Sequence, residues 1–381
     1  MSEMVAVDHF AGAGGWSVAC RDLGVTDRGV ELMPQAVSTR EANGFETLYG
    51  DVWSGLFDPS LVPPHQLKLS SPPCQSFSIA GDGEGRAVID DVLEETDGQV
   101  WKNVEKLHGL TEKLDPKTAL VLTPLAHVFQ HRPDFVALEQ VPPVLPVWKA
   151  FMRVFEQLGY SAWAGVLSAE TFGVPQTRRR AILMASRVRE VSPPEPTHSR
   201  YDPLYPYQMQ LGLLPWVSMA EALGWGMTQR PALTVTAGGA STGGYTPFPK
   251  HSQETLEKHK TRGAWLVGNQ YTSPGVYYQR ETSLPAQTVT SNVRLWKWSD
   301  RPATTVAGKG ELSAREHHDE GEQSGTAFKL TVREAAILQD FPTGYQWRGS
   351  KTKKFLQIGN AIPPGMARAV IRALIGAEVA S

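Results

Sequence analysis

Cys74 combines a reactive side chain with a rigid and polar setting. It lies in the stretch Ser-Ser-Pro-Pro-Cys-Gln-Ser-Phe-Ser at residues 70–78, directly after an apolar run at 66–70. Two prolines restrict the chain before it, and a thiolate is a powerful nucleophile. These features predict a nucleophilic cysteine at the carboxyl end of a strand. Cys20 lies in an amphipathic helical pattern instead, which predicts a small buried apolar residue.

Polar residues that could assist such a nucleophile lie at the ends of two later apolar runs. Glu139 opens Glu-Gln-Val-Pro-Pro at 139–143, which brings a carboxylate to the same predicted sheet edge as Cys74. A cysteine with a carboxylate suggests a nucleophile with a proton donor. The stretch Gln-Thr-Arg-Arg-Arg at 176–180 supplies an amide and three guanidiniums, which suit the binding of phosphates or a base carbonyl.

A glycine-rich turn predicts a nucleotide-like ligand. Asp-His-Phe-Ala-Gly-Ala-Gly-Gly at 8–15 follows the first apolar run and opens a helical pattern, so the backbone can approach a ligand closely. Glu31 follows about 20 residues later, where a carboxylate can accept hydrogen bonds from ribose hydroxyls. The turn alone is shared with dinucleotide enzymes and plain tight turns. Asp51 ends the third apolar run similarly, and its interpretation as an ordinary helix cap carries almost equal weight.

Short apolar runs that alternate with helical patterns must position these residues. The candidate strands are residues 4–8, 29–32, 47–51, 66–70, 135–139, 162–167 and 181–185. The candidate helices at 16–23, 34–43 and 146–158 are each followed by glycine, which commonly ends a helix. This alternation predicts the α/β fold class, with a doubly wound parallel sheet covered by helices.

The amino-acid composition of the chain changes after this region. Residues 191–325 are rich in Pro, Gly, Ser, Thr and aromatic residues, which predicts a smaller domain of strands and loops. Helical periodicity returns after Thr331, so residues 326–381 are expected to rejoin a first domain at 1–190. The internal similarity among Pro-Ala-x-Thr-Val stretches at 231, 285 and 302 has no fixed period and indicates recurring strand entries.

Composition restricts the class of protein. The 381 residues contain no long apolar run, which predicts a cytoplasmic protein without a membrane segment. The net charge of −2 argues against a protein that coats nucleic acid without sequence preference. Two cysteines cannot form a disulfide framework or a four-cysteine zinc site. Basic clusters at 178–189, 250–262 and 348–354 permit a local DNA-binding cleft, although each alone is more typical of a solvated face.

The ordered set of blocks resembles the DNA (cytosine-5) methyltransferase family, of the bacterial or phage modification type. The resemblance covers residues 5–186 and 301–374, including Gly-Asn-Ala-Ile-Pro-Pro at 359–364 and Arg-Pro-Ala-Thr-Thr at 301–305. It implies a Rossmann-like methyltransferase domain that uses S-adenosyl-L-methionine. Double-stranded DNA is then the substrate, and 191–325 recognises the target. It further implies a monomer whose partner restriction endonuclease would share the site without binding the enzyme.

The resemblance also implies roles for individual residues. Cys74 would be the nucleophile that adds to carbon 6 of a flipped-out cytosine, Glu139 would hold N3, and Arg178 and Arg180 would surround the base and its phosphate. The residues implied in donor binding are Phe10, Gly12, Gly14, Gly15, Glu31, Leu32, Asp51, Val52, Pro73 and Asn360. Those implied in DNA contacts are Gln75, Ser78 and Gln176.

Two features depart from the family pattern. Gln140 occupies a position where the family more often has asparagine, which could alter the orientation of Glu139. The segment from Gly81 to Asp97 carries seven acidic residues and one arginine, so we expect a mobile glycine loop followed by an insertion that projects away from DNA.

Other classes of protein fit less well. The common RNA cytosine methyltransferases have a second cysteine in the block where Glu139 lies, and this chain has none there. The tRNA-directed relatives usually carry a cysteine-bearing insert, whereas residues 191–325 contain no cysteine. A catalytically silent DNA-binding protein would not need Cys74, Glu139 and the arginine block. A nicotinamide dehydrogenase would not need the Pro-Pro-Cys-Gln stretch.

Overall fold

The computed structural model has a seven-stranded sheet in the order β3-β2-β1-β4-β5-β8-β6. The structure describes residues 3–73, 84–114, 116–202, 209–223, 266–270, 277–281, 286–287, 297–299 and 331–376. The sheet strands are β1 Val5–His9, β2 Thr26–Val30, β3 Glu46–Tyr49, β4 Leu67–Ser70, β5 Phe135–Gln140, β6 Ser161–Ser168 and β8 Arg179–Ser186. The predicted α/β fold class is therefore confirmed, and each predicted strand has a counterpart.

One strand differs from the predicted parallel arrangement. Strands β1 to β5 are parallel, but β8 runs antiparallel to both β5 and β6. The connection from β6 to β8 contains only a 3₁₀ turn, Ala169–Phe172, and the two-residue strand β7, Gln176–Thr177. A connection this short cannot carry the chain back along the sheet, as a parallel neighbour requires.

Apolar residues of the central strands face two cores. In β5, Val136 and Leu138 join the core on one face, whereas Phe135 and Ala137 join the core on the other. This alternation follows from the two-residue period of a strand. Because both faces are covered by helices, β4 and β5 are buried throughout, and β5 begins with four apolar residues.

Helices cover the sheet on both sides. Their bounds are α1 Gly15–Asp22, α2 Pro34–Ala42, α3 Val52–Phe57, α4 Glu84–Asp97, α5 Val104–Lys113, α6 Pro116–Ala119, α7 Thr123–His131, α8 Leu145–Gln157, α9 Met219–Leu223, α10 Val332–Leu338, α11 Lys351–Asn360 and α12 Pro364–Ile375. The predicted helices at 16–23, 34–43 and 146–158 correspond to α1, α2 and α8. No helix among these described residues is long and apolar enough to cross a membrane.

The acidic segment, which the sequence assigns to a loop and an insertion, contains a helix. In α4, Val92 and Thr96 are fully buried, and the helix packs against α8. Asp90, Asp91 and Glu94 are exposed on its outer side. The helical spacing of the buried residues explains this amphipathic packing. Gly81 and Gly83 lie outside the described residues, and the expectation that the acidic face avoids DNA stays a prediction.

The C-terminal helices pack onto the first part of the chain. Helix α12 packs against α1, and Phe341, Tyr345 and Trp347 form a core cluster together with Phe45.

Most of residues 191–325 lie outside the described part. Its described strands are β9 Leu266–Gln270, β10 Tyr277–Glu281, β11 Ala286–Gln287 and β12 Lys297–Ser299. Strands β10, β9 and β12 form an antiparallel sheet, and β11 pairs with β7. The domain boundaries stay a prediction.

Candidate active site

The glycine turn after β1 has an unusual backbone. Phe10, Gly12 and Gly14 all have positive φ, at 59°, 55° and 100°. Glycine adopts this region without strain, whereas Phe10 is a non-glycine exception. A Cβ at Gly15 would overlap the carbonyl oxygen of Ile362, and a Cβ at Gly14 would lie 2.9 Å from Tyr345 Oη. The last two glycines are therefore required by the approach of the C-terminal segment.

Glu31 holds this turn from the end of β2. One carboxylate oxygen accepts a hydrogen bond from Gly12 N at 2.8 Å, and the other accepts one from Met33 N at 2.7 Å. Each carboxylate oxygen has two lone pairs, so each can accept a further hydrogen bond from a ligand. The geometry thus prepares Glu31 to bind a pair of hydroxyl groups.

Asp51 has the helix-cap role that the sequence left open. It is the N-cap of α3, and its Oδ1 accepts a hydrogen bond from Trp53 N at 3.1 Å. Asp51 is also exposed and lines the cavity described next. The two roles are compatible because capping uses one lone pair of one oxygen. Its contact with a donor molecule stays a prediction.

A cavity of about 520 Å³ opens at the carboxyl ends of β1, β2, β4 and β5. Nine of the ten residues predicted to bind the donor line it, namely Phe10, Gly12, Gly15, Glu31, Leu32, Asp51, Val52, Pro73 and Asn360. Glu139, Arg178 and Arg180 line it too. Gly14 is not among the lining residues, because it is turned toward Tyr345. The predicted donor and base residues therefore share one cavity at the switch point of the sheet, where β1 and β4 are adjacent.

Glu139 and Arg180 form an ion pair in the cavity wall. Arg180 Nε lies 2.7 Å from Glu139 Oε1, and the two side chains are only 11% and 6% exposed. The antiparallel pairing of β5 with β8 brings them together, since Glu139 lies opposite Ile182 in the ladder. Charge compensation by Arg180 lets a carboxylate remain buried here. The arrangement offers a fixed carboxylate to a ligand in the cavity.

Arg178 and Gln176 connect the arginine block to the C-terminal segment. The guanidinium of Arg178 is buried and donates from Nη2 to Gly359 O at 2.9 Å. Gln176 is fully buried, and its Nε2 lies 2.9 Å from both Leu338 O and Gln339 Oε1. Its amide is therefore used inside the protein, and the expected contact of Gln176 with DNA stays a prediction. Sequence reasoning missed this role because the partner lies more than 160 residues away.

Cys74, Gln75 and Ser78 lie outside the described residues, so their predicted roles are untested. The chain that leads to them is anchored at the cavity. Ser71 Oγ accepts from Trp16 Nε1 at 3.0 Å, and Pro72 O accepts from Gln140 Nε2 at 2.6 Å. Gln140 thus fixes Pro72, two residues before Cys74.

Cys20 fits its predicted role as a core residue. It is fully buried in α1, and burial raises the pKa of its thiol well above the ordinary value. A thiol held in its neutral form is a poor nucleophile.

Among the cavity residues outside the predicted set, four come from one segment of the chain. They are Thr111, Pro116, Lys117 and Leu120. They come from α5, α6 and the turn that follows, and no motif in the sequence marks them. Only the tertiary packing of this segment brings them to the cavity.

The chain is similar to DNA methyltransferases along nearly its whole length. Residues 4–376 match the family model described as C-5 cytosine-specific DNA methylase. The Type II methyltransferase M1.HphI of Haemophilus parahaemolyticus is 28% identical over 379 residues, which cover 97% of this chain and 86% of that protein. The Type II methyltransferase M.AplI of Arthrospira platensis is 23% identical, with coverage of 98% and 86%.

Solved structures agree with the fold. The Entamoeba histolytica methyltransferase EhMeth has a TM-score of 0.57 and 12% identity, with 99% of each chain covered. The S. pombe Dnmt2 methyltransferase has a TM-score of 0.55 and 13% identity, with 98% of this chain and 99% of that chain covered. At these identities the likeness concerns the fold alone.

Proposed function

The chain belongs to the C-5 cytosine-specific DNA methylase family, and we propose on this basis that its donor is S-adenosyl-L-methionine and that Cys74 forms a covalent intermediate. The family makes the protein a DNA (cytosine-5) methyltransferase, which transfers a methyl group to carbon 5 of cytosine in DNA. The finer proposal concerns the donor, the nucleophile and the extrusion of the target base.

The shared cavity is the observation that carries the proposal. Its volume of about 520 Å³ lies within the range of small-molecule sites. Glu31 retains lone pairs for the two ribose hydroxyls, and Leu32 and Val52 supply apolar surface for a purine. Gly12 leaves open space beside the turn, since no atom except Phe10 O lies within 4 Å of a Cβ placed there. When bound, the donor supplies an electrophilic methyl group on a sulfonium.

The residues on the opposite side of the cavity suit a cytosine ring. Carbon 5 of cytosine is a weak nucleophile, so the Cys74 thiolate first bonds to carbon 6 and electron density shifts toward N3 and carbon 5. Glu139, positioned by Arg180, would carry a proton when the base is bound, donate a hydrogen bond from it to N3 and stabilise the charge that develops there. After carbon 5 has been methylated, its proton leaves and the bond to Cys74 breaks. The ring thereby regains its aromatic form.

This chemistry requires an extruded base. A thiolate must approach the face of the pyrimidine, which is covered by stacked neighbours in a duplex. The cavity that contains Glu139 and Arg180 would receive the rotated nucleotide. Residues 191–325 would then select the target sequence. The relatives are named Type II methyltransferases, which supports the modification of one defined DNA sequence. It also supports the existence of a separate endonuclease that cuts at the same sequence.

Covalent trapping tests the proposal. Duplex DNA made with 5-fluorodeoxycytidine triphosphate in place of the normal nucleotide contains the fluorinated base at every cytosine, so the unknown target is included. Fluorine cannot leave as a cation, and the complex should survive denaturation in the presence of S-adenosyl-L-methionine. Cys74→Ser should form no adduct, because a hydroxyl has no accessible anion near neutral pH.

Two further variants provide controls. Cys20→Ala removes the other thiol and should trap like the parent protein, since Cys20 lies in the core. Glu139→Gln keeps the shape of the side chain but should trap slowly, because it loses the acid that assists addition. An adduct that persists in Cys74→Ser would contradict the covalent role of Cys74. So would the absence of an adduct on DNA that the enzyme methylates.

A further inference from the structure

Helix α5 and the residues after it form a wall of the cavity that the family motifs do not include. Thr111 lies on α5 and, with Lys117 and Leu120, lines the cavity. Leu107 and Leu110 are buried in the core cluster that also contains Val52, Trp53 and Leu56. The apolar side of α5 is therefore fixed against α3, and Thr111 remains at the cavity.

The position of α5 identifies the end of the cavity that it covers. The imidazole of His108 packs edge-to-face on Trp53, with the ring centroids 4.8 Å apart. Trp53 belongs to α3, which begins directly after Asp51. If Glu31 binds the ribose, α3 and α5 lie beyond it in the direction of β3 and away from Glu139. On that assignment the purine of the donor would occupy that end, and Thr111 would lie on the wall that borders it.

The hydrogen bonding of Thr111 fixes what its hydroxyl can do for a ligand. Thr111 Oγ1 donates its hydrogen to His108 O at 2.7 Å, within the same helix. A hydroxyl has one hydrogen and two lone pairs, so only acceptor capacity remains. A ligand group that complements this oxygen must be an N–H or O–H donor. The exocyclic 6-amino group of adenine is such a donor, whereas the 6-carbonyl of hypoxanthine is an acceptor.

We propose that Thr111 is a specificity-determining residue of the donor site, and that its hydroxyl oxygen accepts a hydrogen bond from the 6-amino group of the donor's adenine. The inference rests on the proposed use of S-adenosyl-L-methionine and adds a side chain that distinguishes an aminopurine from an oxopurine. Thr111 therefore acts on donor binding and not on the methyl transfer itself.

Binding of two product analogues tests this role without catalysis. S-adenosylhomocysteine and S-inosylhomocysteine, which differ at purine position 6, are titrated calorimetrically into the full-length protein. The parent protein should prefer the adenosyl compound. Thr111→Val keeps the shape but removes the acceptor, so it should weaken S-adenosylhomocysteine by about 3- to 10-fold and reduce the preference by a similar factor. Thr111→Ser should retain the preference.

A matched control distinguishes the loss of the hydroxyl acceptor in the cavity from the loss of the hydrogen bond that the hydroxyl donates to a carbonyl three residues earlier. Thr123 Oγ1 donates to Leu120 O at 2.7 Å, three residues back like Thr111, but Thr123 does not line the cavity. Thr123→Val should leave the preference unchanged. If Thr111→Val does not fold, Thr111→Ala removes the same acceptor and favours the helix.

The outcomes distinguish the two proposals. If the parent protein binds S-adenosylhomocysteine and Thr111→Val or Thr111→Ala keeps the full preference, the role of Thr111 is overturned while the donor assignment stands. If the parent protein binds neither compound, the donor assignment fails and the role of Thr111 fails with it. With S-adenosyl-L-methionine as substrate, Thr111→Val should raise KM and leave kcat nearly unchanged, which a merely structural defect would not do.

Discussion

A buried histidine cluster predicts that the protein loses stability in mild acid. His9 ends β1, His65 precedes β4, and His127 and His131 lie on α7. Ring centroids are 4.6 Å apart for His9 and His127, and 4.6 Å apart for His127 and His131. His65 Nε2 lies 2.9 Å from His127 Nε2. Lys68 is fully buried among them, with Nζ 3.4 Å from Val7 O.

Burial keeps these imidazoles neutral in the folded protein. It lowers the pKa of His65 to about 4 and moves the pKa values of His9 and His127 well below the ordinary value. Burial also lowers the pKa of His131, and the charge of Lys68 lowers that pKa further. In the unfolded chain each imidazole titrates near pH 6.5. As the pH falls through that value, the unfolded chain binds protons that the folded protein excludes.

The sign and size of the effect follow by linkage. Stability is fully present above about pH 6.5 and falls below it, because protonation favours the unfolded state. For His65, with a folded pKa of about 4, the loss of unfolding free energy at pH 5 is about 2 kcal/mol. His9 and His127 add losses of the same sign. Asp8 and Asp340 act in the opposite direction, because burial raises the pKa of each carboxyl, to about 6 for Asp340, so the folded protein takes up these protons before the unfolded chain does.

Urea unfolding between pH 7.5 and 5 measures this loss. His65→Gln removes one titrating group. Between pH 7.5 and 5, the unfolding free energy of this variant should therefore decrease by about 2 kcal/mol less than the unfolding free energy of the parent protein. His108→Gln replaces an exposed imidazole and should follow the parent protein. If His65→Gln and the parent protein lose equal stability down to pH 5, the argument from the buried cluster is wrong.

Two glycines and one segment give the remaining predictions. Gly15→Ala should reduce the unfolding free energy by about 1–3 kcal/mol and weaken donor binding, because its Cβ overlaps Ile362 O; an unchanged melting temperature would contradict this. Gly109→Ala, in α5 with no atom within 4 Å of the new Cβ, should instead stabilise the protein by about 0.5–1 kcal/mol, and a lower melting temperature would refute it. Replacing residues 191–325 by the corresponding segment of another family member should change the methylated sequence, as bisulfite sequencing would reveal; retention of the original sequence would exclude target recognition by this segment.

The sequence predicts the positions of the strands and helices that carry motifs, but it does not predict the direction of every strand. Apolar runs located β5 and β8 within one or two residues because burial on both faces requires them. Periodicity contains no information on direction, so the antiparallel β8 was missed. The helix α4 was missed for another reason. Glycines and carboxylates suggested a loop, whereas the burial of Val92 and Thr96 outweighs those local signals.

The site shows the same division between local and distant information. Glu31 and Glu139 were predicted because each follows an apolar run, and strand ends of a doubly wound sheet converge on one edge. The contact of Arg178 with Gly359 joins residues 181 positions apart, which no local pattern encodes. Thr111 belongs to the same group, since its place at the cavity depends on the docking of α5 against α3.

Hydrogen bonds across the C-terminal return hold the two flanks of residues 191–325 together. Gln176 precedes residues 191–325 and Leu338 follows them, yet Gln176 Nε2 donates to Leu338 O. Arg178 repeats the connection through Gly359 O, and Gly365 N donates to Asp340 within the return itself at 2.7 Å. Because these bonds hold both flanks of the segment to the catalytic sheet, its length and sequence can change without moving Glu139 or Arg180. Loop-closure cost grows only slowly with length, so a change in the length of the intervening segment costs little, as its proposed role in target recognition requires.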